Sequence, residues 1–433
     1  MCLQFRSILK WIVRPASAPG AAWRDRDVLP REQGLSASFI EANRVTGQRT
    51  YLDWNATAVL REESRAAMHA AMELCGNPSS VHGEGRTARR LVEIAREQVA
   101  ALIGAKPGNV VFTSGGSEAN ALALTPHIRV GGDSSLRDRL LVSAIEHASV
   151  LGGGRFGRNQ IETFKAGPTG EIDLEDLASK LKGSERPLVS LMAANNETGV
   201  IQPLKAVADL VHGAGGILHV DAVQAAGRVP FDLEAAQADF VTISAHKIGG
   251  PTGTGALIKR GDACNIAEPL IRGGGQEGGA RGGTENVLGI VGFGAAAKAV
   301  HRQLDAEQKR LRGLRDRLEA GLRAATPDVV IFGEQAERLP NTVLFALAGV
   351  KAETALIALD LDGVAVSSGS ACSSGKVAPS HVLTAMGVSG ALTSAAIRVS
   401  FGFSTNDNDI EVLLGAWKKH LETLAKHRQG IAA

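Results

Sequence analysis

Between residues 109 and 247 short apolar runs recur, and each closes on a polar or glycine-rich turn. They read NVVFTSGG (109–116), RLLVSAIEH (139–147), PLVSLMAANN (187–196), GGILHVDAVQ (215–224) and ADFVTISAHK (238–247). Their shortness and β-branched content predict strands. Helical stretches lie between several of them. One, TARRLVEIAREQVAALIGA (87–105), sets Leu91, Ile94, Ala95, Val99 and Leu102 on one face. Strands alternating with helices predict an α/β fold with a mostly parallel sheet, and such sheets bind ligands at the carboxyl ends of their strands. The polar clusters all fall at those ends, which is the first functional signal.

After residue 300 the texture changes. QLDAEQKRLRGLRDRLEAGLRAA (303–325) predicts a charged helix with Leu304, Leu311, Leu314, Leu318 and Leu322 in one stripe, a connector to a second domain. NDIEVLLGAWKKHLETLAKHR (408–428) predicts another amphipathic helix, with Leu413, Trp417, Leu421 and Leu424 as core residues. The expected organisation is a large domain over 49–305, whose first residues join the small one, and a small α+β domain over 306–433. Residues 1–48 are expected to be a poorly ordered extension. Arg6, Lys10, Arg14 and Arg24 without an acid superficially match a transit peptide, but Pro15 and Pro19 interrupt any amphipathic repeat.

At 433 residues the chain exceeds what one core usually sustains. Its 44% hydrophobic and 21% charged content is that of a globular protein. A net charge of +2 argues against a nucleic-acid binder, and no run of eighteen apolar residues predicts a membrane span. Cys2, Cys75, Cys264 and Cys372 are far apart, which disfavours a disulfide framework or a zinc site and suits a reducing cytoplasm.

The chemistry concentrates in VTISAHKIGGPTGTGAL (241–257), where an apolar strand delivers Ser244, His246 and Lys247 and then dissolves into glycines. Burial disfavours a lysine's charge, and the neutral amine is a nucleophile suited to capturing a carbonyl compound. An isolated lysine would simply reach for solvent. This one has company. Asp221 ends another strand with Gln224 three residues on. An acid paired with such a lysine points to pyridoxal phosphate, because it keeps the ring nitrogen protonated and the ring electron-withdrawing. Gln224 is then available for the ring's phenolic oxygen. TSGGSEANALAL (113–124) reads as strand, glycine turn and helix start, a phosphate-binding geometry to which Ser117 adds a hydroxyl. Ser244 and His246 can add further donors, and the glycines after Lys247 are expected to make room for the cofactor. Cys372 lies in VSSGSACSSGKVAPS, without helix or strand period, among small and polar neighbours that favour an accessible thiol.

Together HVDAVQ, SAHKIGGPTGTGAL, ANNETGVIQP (194–203), GGGQEGGARGGTEN (273–286) and SSGSACSSG (367–375) resemble the cysteine desulfurases of the NifS/IscS type, class-V aminotransferase-like enzymes that use pyridoxal 5'-phosphate. The resemblance runs from YLDWNATA (51–58) to IRVSFG (397–402). It implies the aspartate aminotransferase-like fold and assigns roles. Lys247 would hold the cofactor, Asp221 face the pyridine nitrogen and Gln224 the phenolic oxygen. His147 would stack on the ring and serve in proton transfer. Gly116, Ser117, Ser244 and His246 would hold the phosphate, with Thr284 reaching the phosphate of the neighbouring subunit of a homodimer. Asn196 and Arg398 would orient the substrate, the arginine by a two-pronged grip on its carboxylate. Ala121 and Ala245 depart from the family pattern without removing a catalytic group.

The implied reaction converts L-cysteine to L-alanine and leaves the sulfur on Cys372 as a persulfide, for delivery to an iron–sulfur scaffold or another acceptor protein. No intrinsic metal site is expected, although Cys372 could serve as a transient iron–sulfur ligand. The alternatives are a selenocysteine lyase or other class-V enzyme and, without catalysis, a scaffold that keeps only the fold.

Overall fold

The computed structural model of the protein describes residues 49–369 and 379–432. Cys372 and the extension 1–48 lie outside them.

A seven-stranded sheet forms the centre. Its spatial order is Val110–Thr113, Gly255–Lys259, Phe240–Ser244, Ile217–Asp221, Pro187–Met192, Arg139–Ser143 and Ile161–Phe164. Gly255–Lys259 alone runs antiparallel to its neighbours, and every other adjacent pair is parallel. The central strands are buried along their whole length, as runs such as Leu188–Met192 and Ile217–Asp221 require when helices cover both faces. The five strands expected from the apolar runs all form. Ile161–Phe164 and Gly255–Lys259 are additional, since their short, mixed sequences carry a weaker signal. Register then decides where the site sits. Gly255 lies opposite both Thr113 and Ser244, so the exits of those two strands come together.

A four-stranded antiparallel sheet follows in the order Val330–Ile331, Thr342–Ala346, Ile397–Ser400 and Ser367–Ser368. The start of the described chain joins this region: Thr50–Tyr51 pairs with Val364–Ala365, and Asp53 bridges to Ser400.

One helix, Val287–Ala325, serves both cores. Its first half buries Ile290, Phe293, Ala296, Ala297 and Val300 with the large sheet. Its second half buries Leu311, Leu314, Leu318 and Leu322 with the small one. The helix begins well before residue 303 because Gly292 and Gly294, poor helix formers in isolation, permit close packing. A Cβ on Gly294 would sit 2.6 Å from Ala95, and one on Gly292 2.7 Å from Met68. Across that contact, the Gly83–Leu102 helix buries Val92, Ala95, Arg96 and Val99, while Ile94 is 39% exposed. The face expected through Ile94 is therefore corrected. Arg96 occupies the inner side because its guanidinium reaches the Glu277 carboxylate at 2.8 Å and the Val110 carbonyl at 2.7 Å.

The closing helix, Asp407–Ala432, buries Leu413 and Trp417 against the small sheet, with Leu421 and Leu424 packed beside them. Trp417 meets Phe345 edge-on at 5.3 Å, but its indole N–H has no partner. Trp417→Ala should therefore cost about 3–5 kcal/mol through the cavity it opens. Trp417→Phe, which keeps the ring contact and removes an unsatisfied donor, should cost under about 1.5 kcal/mol. Chemical denaturation of the two variants checks the contrast.

Candidate active site

Four strand exits and one helix start converge on a cavity of about 310 Å³ at the carboxyl edge of the large sheet. Ten sequence-expected residues line it: Gly116, Ser117, His147, Asn196, Asp221, Gln224, Ser244, His246, Lys247 and Arg398. Thr284 lies elsewhere in the chain, in a separate hollow with Ser114 and Arg281. An ion pair of 3.0 Å between Arg281 and Glu118 ties that loop to the start of the Gly116–Ala123 helix. The position of Cys372 is outside the described residues, but the described chain on either side of it borders the site. Ser367 lies opposite Arg398 in register, and Ser380 donates its hydroxyl to Glu197 at 2.5 Å.

Lys247 lies beyond its strand, in a 3-10 turn over Ala245–Lys247, and is half-buried. Its Nζ donates to the Asn55 carbonyl at 2.6 Å and the Ala56 carbonyl at 2.8 Å. This corrects the expectation of a lysine enclosed at the end of a buried strand. The glycines after it do not line the cavity. A Cβ on Gly249, at φ +84°, would meet Arg61 at 2.6 Å, so that glycine accommodates the protein's own packing. Among the described residues Gly116 is the glycine that lines the cavity, where a Cβ would approach Val223 to 3.0 Å and Ser244 to 3.5 Å.

Asp221 has one N–H for each carboxylate oxygen, from Asn120 Nδ2 at 2.8 Å and from the Val223 main chain at 3.0 Å. Beneath it His219 bridges Ser190 at 2.8 Å and Thr242 at 2.9 Å, and complete burial lowers its pKa to about 4. Glu146 is enclosed as well. Burial first, then the negative charge of Asp221, raise its pKa well above the usual carboxyl range, while Oε1 accepts the Met192 N–H at 2.6 Å.

On the opposite wall the charges are positive. Arg398 donates from Nη1 to the Asn196 carbonyl at 3.1 Å and from Nη2 to Asp53 at 2.8 Å, while its buried Nε has no hydrogen-bond partner. Two of its five N–H groups are thus engaged before any ligand arrives. Arg228 is fully buried and bonds the Gln224 side chain and carbonyl, the Trp54 carbonyl and the Lys247 carbonyl. Desolvation, then Arg398, lower its pKa to about 9. His246 is held down to about 4 by burial and then by Lys247 and Arg228, which makes it a neutral imidazole at physiological pH.

The sequence reading missed Asn55, Asn120, Ser149 and Arg228. Arg228 follows Gln224 by four residues and Asn120 follows Gly116 by four, spacings that set each pair on one side of a turn. Among the described residues no group of three or more His, Cys, Asp or Glu side chains is placed to hold a metal ion, and no helix is long and apolar enough to cross a membrane.

A half-buried lysine turn, a strand-end aspartate and a glycine helix start on one mostly parallel sheet define a class, and the chain belongs to the class-V aminotransferase family, whose description matches residues 50–413. Its relatives narrow this further. A cysteine desulfurase of Cereibacter sphaeroides is 42% identical over 374 residues, covering 85% of this chain and 94% of the relative. The cysteine desulfurase IscS of Dictyoglomus turgidum is 39% identical over 383 residues, covering 87% and 95%. A NifS-like protein from Rickettsia africae superposes with a TM-score of 0.77 at 34% identity, covering 87% of this chain and 100% of that one.

Glu197 offers a direct test of the site's electrostatics. Burial raises its pKa to about 7 against the opposing pull of the Ser380 hydroxyl and Arg398. Between the ordinary carboxyl value and about 7, the native state holds a proton that the unfolded chain has lost, so this residue's stability contribution declines as pH rises through that window. Glu197→Gln should match the parent near pH 5 and gain on it by roughly 3 kcal/mol by pH 8. Urea titrations at the two pH values measure the difference, and equal gaps at both would contradict it.

Proposed function

We propose that the chain is a pyridoxal-phosphate-dependent cysteine desulfurase, which moves the sulfur of L-cysteine onto Cys372 as a persulfide and releases L-alanine. The observation that carries the reading is the one cavity onto which Lys247, Asp221 and Arg398 all open. The identity with curated cysteine desulfurases supports it, and those relatives do not favour the selenocysteine lyase alternative.

The residues suit the cofactor by their chemistry. A lysine amine and an aspartate share the cavity, Gly116 leaves a cradle that a Cβ would fill, and the helix from Gly116 starts without a side-chain cap. Asn120 Oδ1 and Arg398 Nε are buried and lack hydrogen-bond partners. When bound, pyridoxal phosphate supplies a carbonyl that captures amines and a ring that spreads the electron pair left when a Cα–H bond breaks. In this reading Lys247 holds it, Asp221 faces the pyridine nitrogen and His147 stacks on the ring. Gln224 gives the phenolic oxygen the Nε2 hydrogen not committed to Asn55. Gly116, Ser117, Ser244 and His246 hold the phosphate, with Thr284 of a second copy completing it in a homodimer. Residues 49–305 then form the cofactor-binding domain, and 306–433 the small domain that carries the thiol.

Arg398 and Asn196 orient the substrate carboxylate and amino group, and Lys247 Nζ takes the Cα proton. The Cys372 thiolate attacks the substrate sulfur, so an S–S bond forms as the Cβ–S bond breaks. The electron pair of the broken bond stays with Cβ, which takes a proton and becomes the methyl group of alanine, and Lys247 returns the proton to Cα. Carbon is reduced and sulfur oxidised by the same two electrons, so no outside oxidant is consumed. A cytoplasmic setting and delivery to an iron–sulfur scaffold or other acceptor complete the proposal.

Given cofactor, L-cysteine and a thiol reductant, the protein should release alanine and sulfide in equal amounts. Cys372→Ala should lose more than about 100-fold of that rate while keeping the near-visible absorbance of bound cofactor. Lys247→Ala should lose both the rate and the borohydride-trapped mass increment on the Lys247 peptide. Full desulfurase activity in Cys372→Ala would overturn the persulfide step.

A further inference from the structure

Four side chains form a hydrogen-bonded line from Asp221 to His147. Asn120 Nδ2 donates to Asp221 Oδ2 at 2.8 Å and to Ser149 Oγ at 2.9 Å, and Ser149 Oγ lies 2.8 Å from His147 Nδ1. The Ser149 main-chain N–H also donates to Nδ1, at 3.1 Å. We infer that Ser149, with its hydroxyl aimed by Asn120, fixes neutral His147 in the tautomer carrying its proton on Nε2, which makes the ring a hydrogen-bond donor to whatever fills the cavity.

Donor arithmetic carries the argument. An amide nitrogen only donates, and the Asp221 carboxylate fixes which end of the Asn120 amide faces it; the flipped amide would oppose oxygen to oxygen. Ser149 Oγ therefore accepts from Asn120, and its own proton is left to point at the remaining neighbour, Nδ1. With two donors directed at it, Nδ1 is a bare acceptor, so the single proton of a neutral imidazole sits on Nε2. A second proton on Nδ1 would have to displace both donors. Asp221, His246, Lys247 and Arg398 share the cavity with His147, and Glu146 precedes it in the chain. This deepens the desulfurase reading and rests on it only for the effect on turnover. There His147, stacked on the ring, keeps its Nε2–H available to the substrate side of the cavity, and Lys247 Nζ is the group that moves the Cα proton.

Long-range 1H–15N spectra of the full chain in mildly alkaline buffer, recorded with and without pyridoxal phosphate, read the tautomer. A His147→Gln sample assigns the signal. The expected spectrum shows an unprotonated Nδ1 and a protonated Nε2. Ser149→Ala should shift both resonances toward a mixture of tautomers, and Ser149→Thr, which retains a hydroxyl, should restore them. In the desulfurase assay Ser149→Ala should lower kcat about fivefold to tenfold, the worth of one hydrogen bond, with KM within about twofold and recovery in Ser149→Thr. A proton on Nδ1 in the parent chain overturns the inference, as does an unchanged tautomer in a folded Ser149→Ala. If that variant does not fold, the parent spectrum decides alone. A bare Nδ1 in a chain that releases no sulfide would uphold the tautomer and defeat the desulfurase reading, so the two fail separately.

Discussion

Asp221 stands at the end of a strand buried throughout, and its carboxylate is held by one N–H on each oxygen, from Asn120 and Val223. A charge so placed has few partners, and each neighbour must adjust to it. Glu146, enclosed nearby, is pushed to its neutral form partly by that charge. His219, one layer below, stays uncharged between two hydroxyls. The Asp221 carboxylate is thus fixed in direction at the floor of the cavity.

The other walls carry cations. Arg228 is buried among carbonyls and one amide, and the charge of Arg398 depresses its pKa further. Arg398 keeps Nε without a hydrogen-bond partner although Asp53 occupies Nη2. Burial first, and then the neighbouring charges of Lys247 and Arg228, keep His246 neutral. The cost of burying these groups is borne by the packed sheet beneath them.

Much of this was legible in the sequence because strand ends announce themselves. A run such as GGILHVDAVQ is apolar until the residue that leaves the sheet, so Asp221 stands out, and Lys247, His147 and Asn196 do so for the same reason. Ile94 was misplaced because helix periodicity cannot tell an apolar side chain from Arg96 when a distant carboxylate, Glu277, draws the guanidinium inward. The early half of the Val287–Ala325 helix was hidden by glycines whose value lies in another helix's proximity. Asn120, Ser149 and Arg228 escaped notice for one shared reason. Each acts on a residue already identified, through a contact between segments or across a turn, and no local pattern marks such a residue.

The division of labour between the two sheets explains why the site needs both. The large sheet supplies Lys247, Asp221, Gln224 and the Gly116 turn, the set that would anchor a cofactor. Arg398 comes from the small sheet, where Ile397–Ser400 is paired on one side with Thr342–Ala346 and on the other with Ser367–Ser368. Its guanidinium then ties inward to Asp53 and the Asn196 carbonyl. The strand that positions this arginine is therefore paired with the strand that leads to residue 370, and Ser380, on the far side of that segment, bonds Glu197 beside Asn196. The small sheet thus holds both Arg398 and the strand that leads to residue 370, while the Lys247 turn belongs to the large sheet.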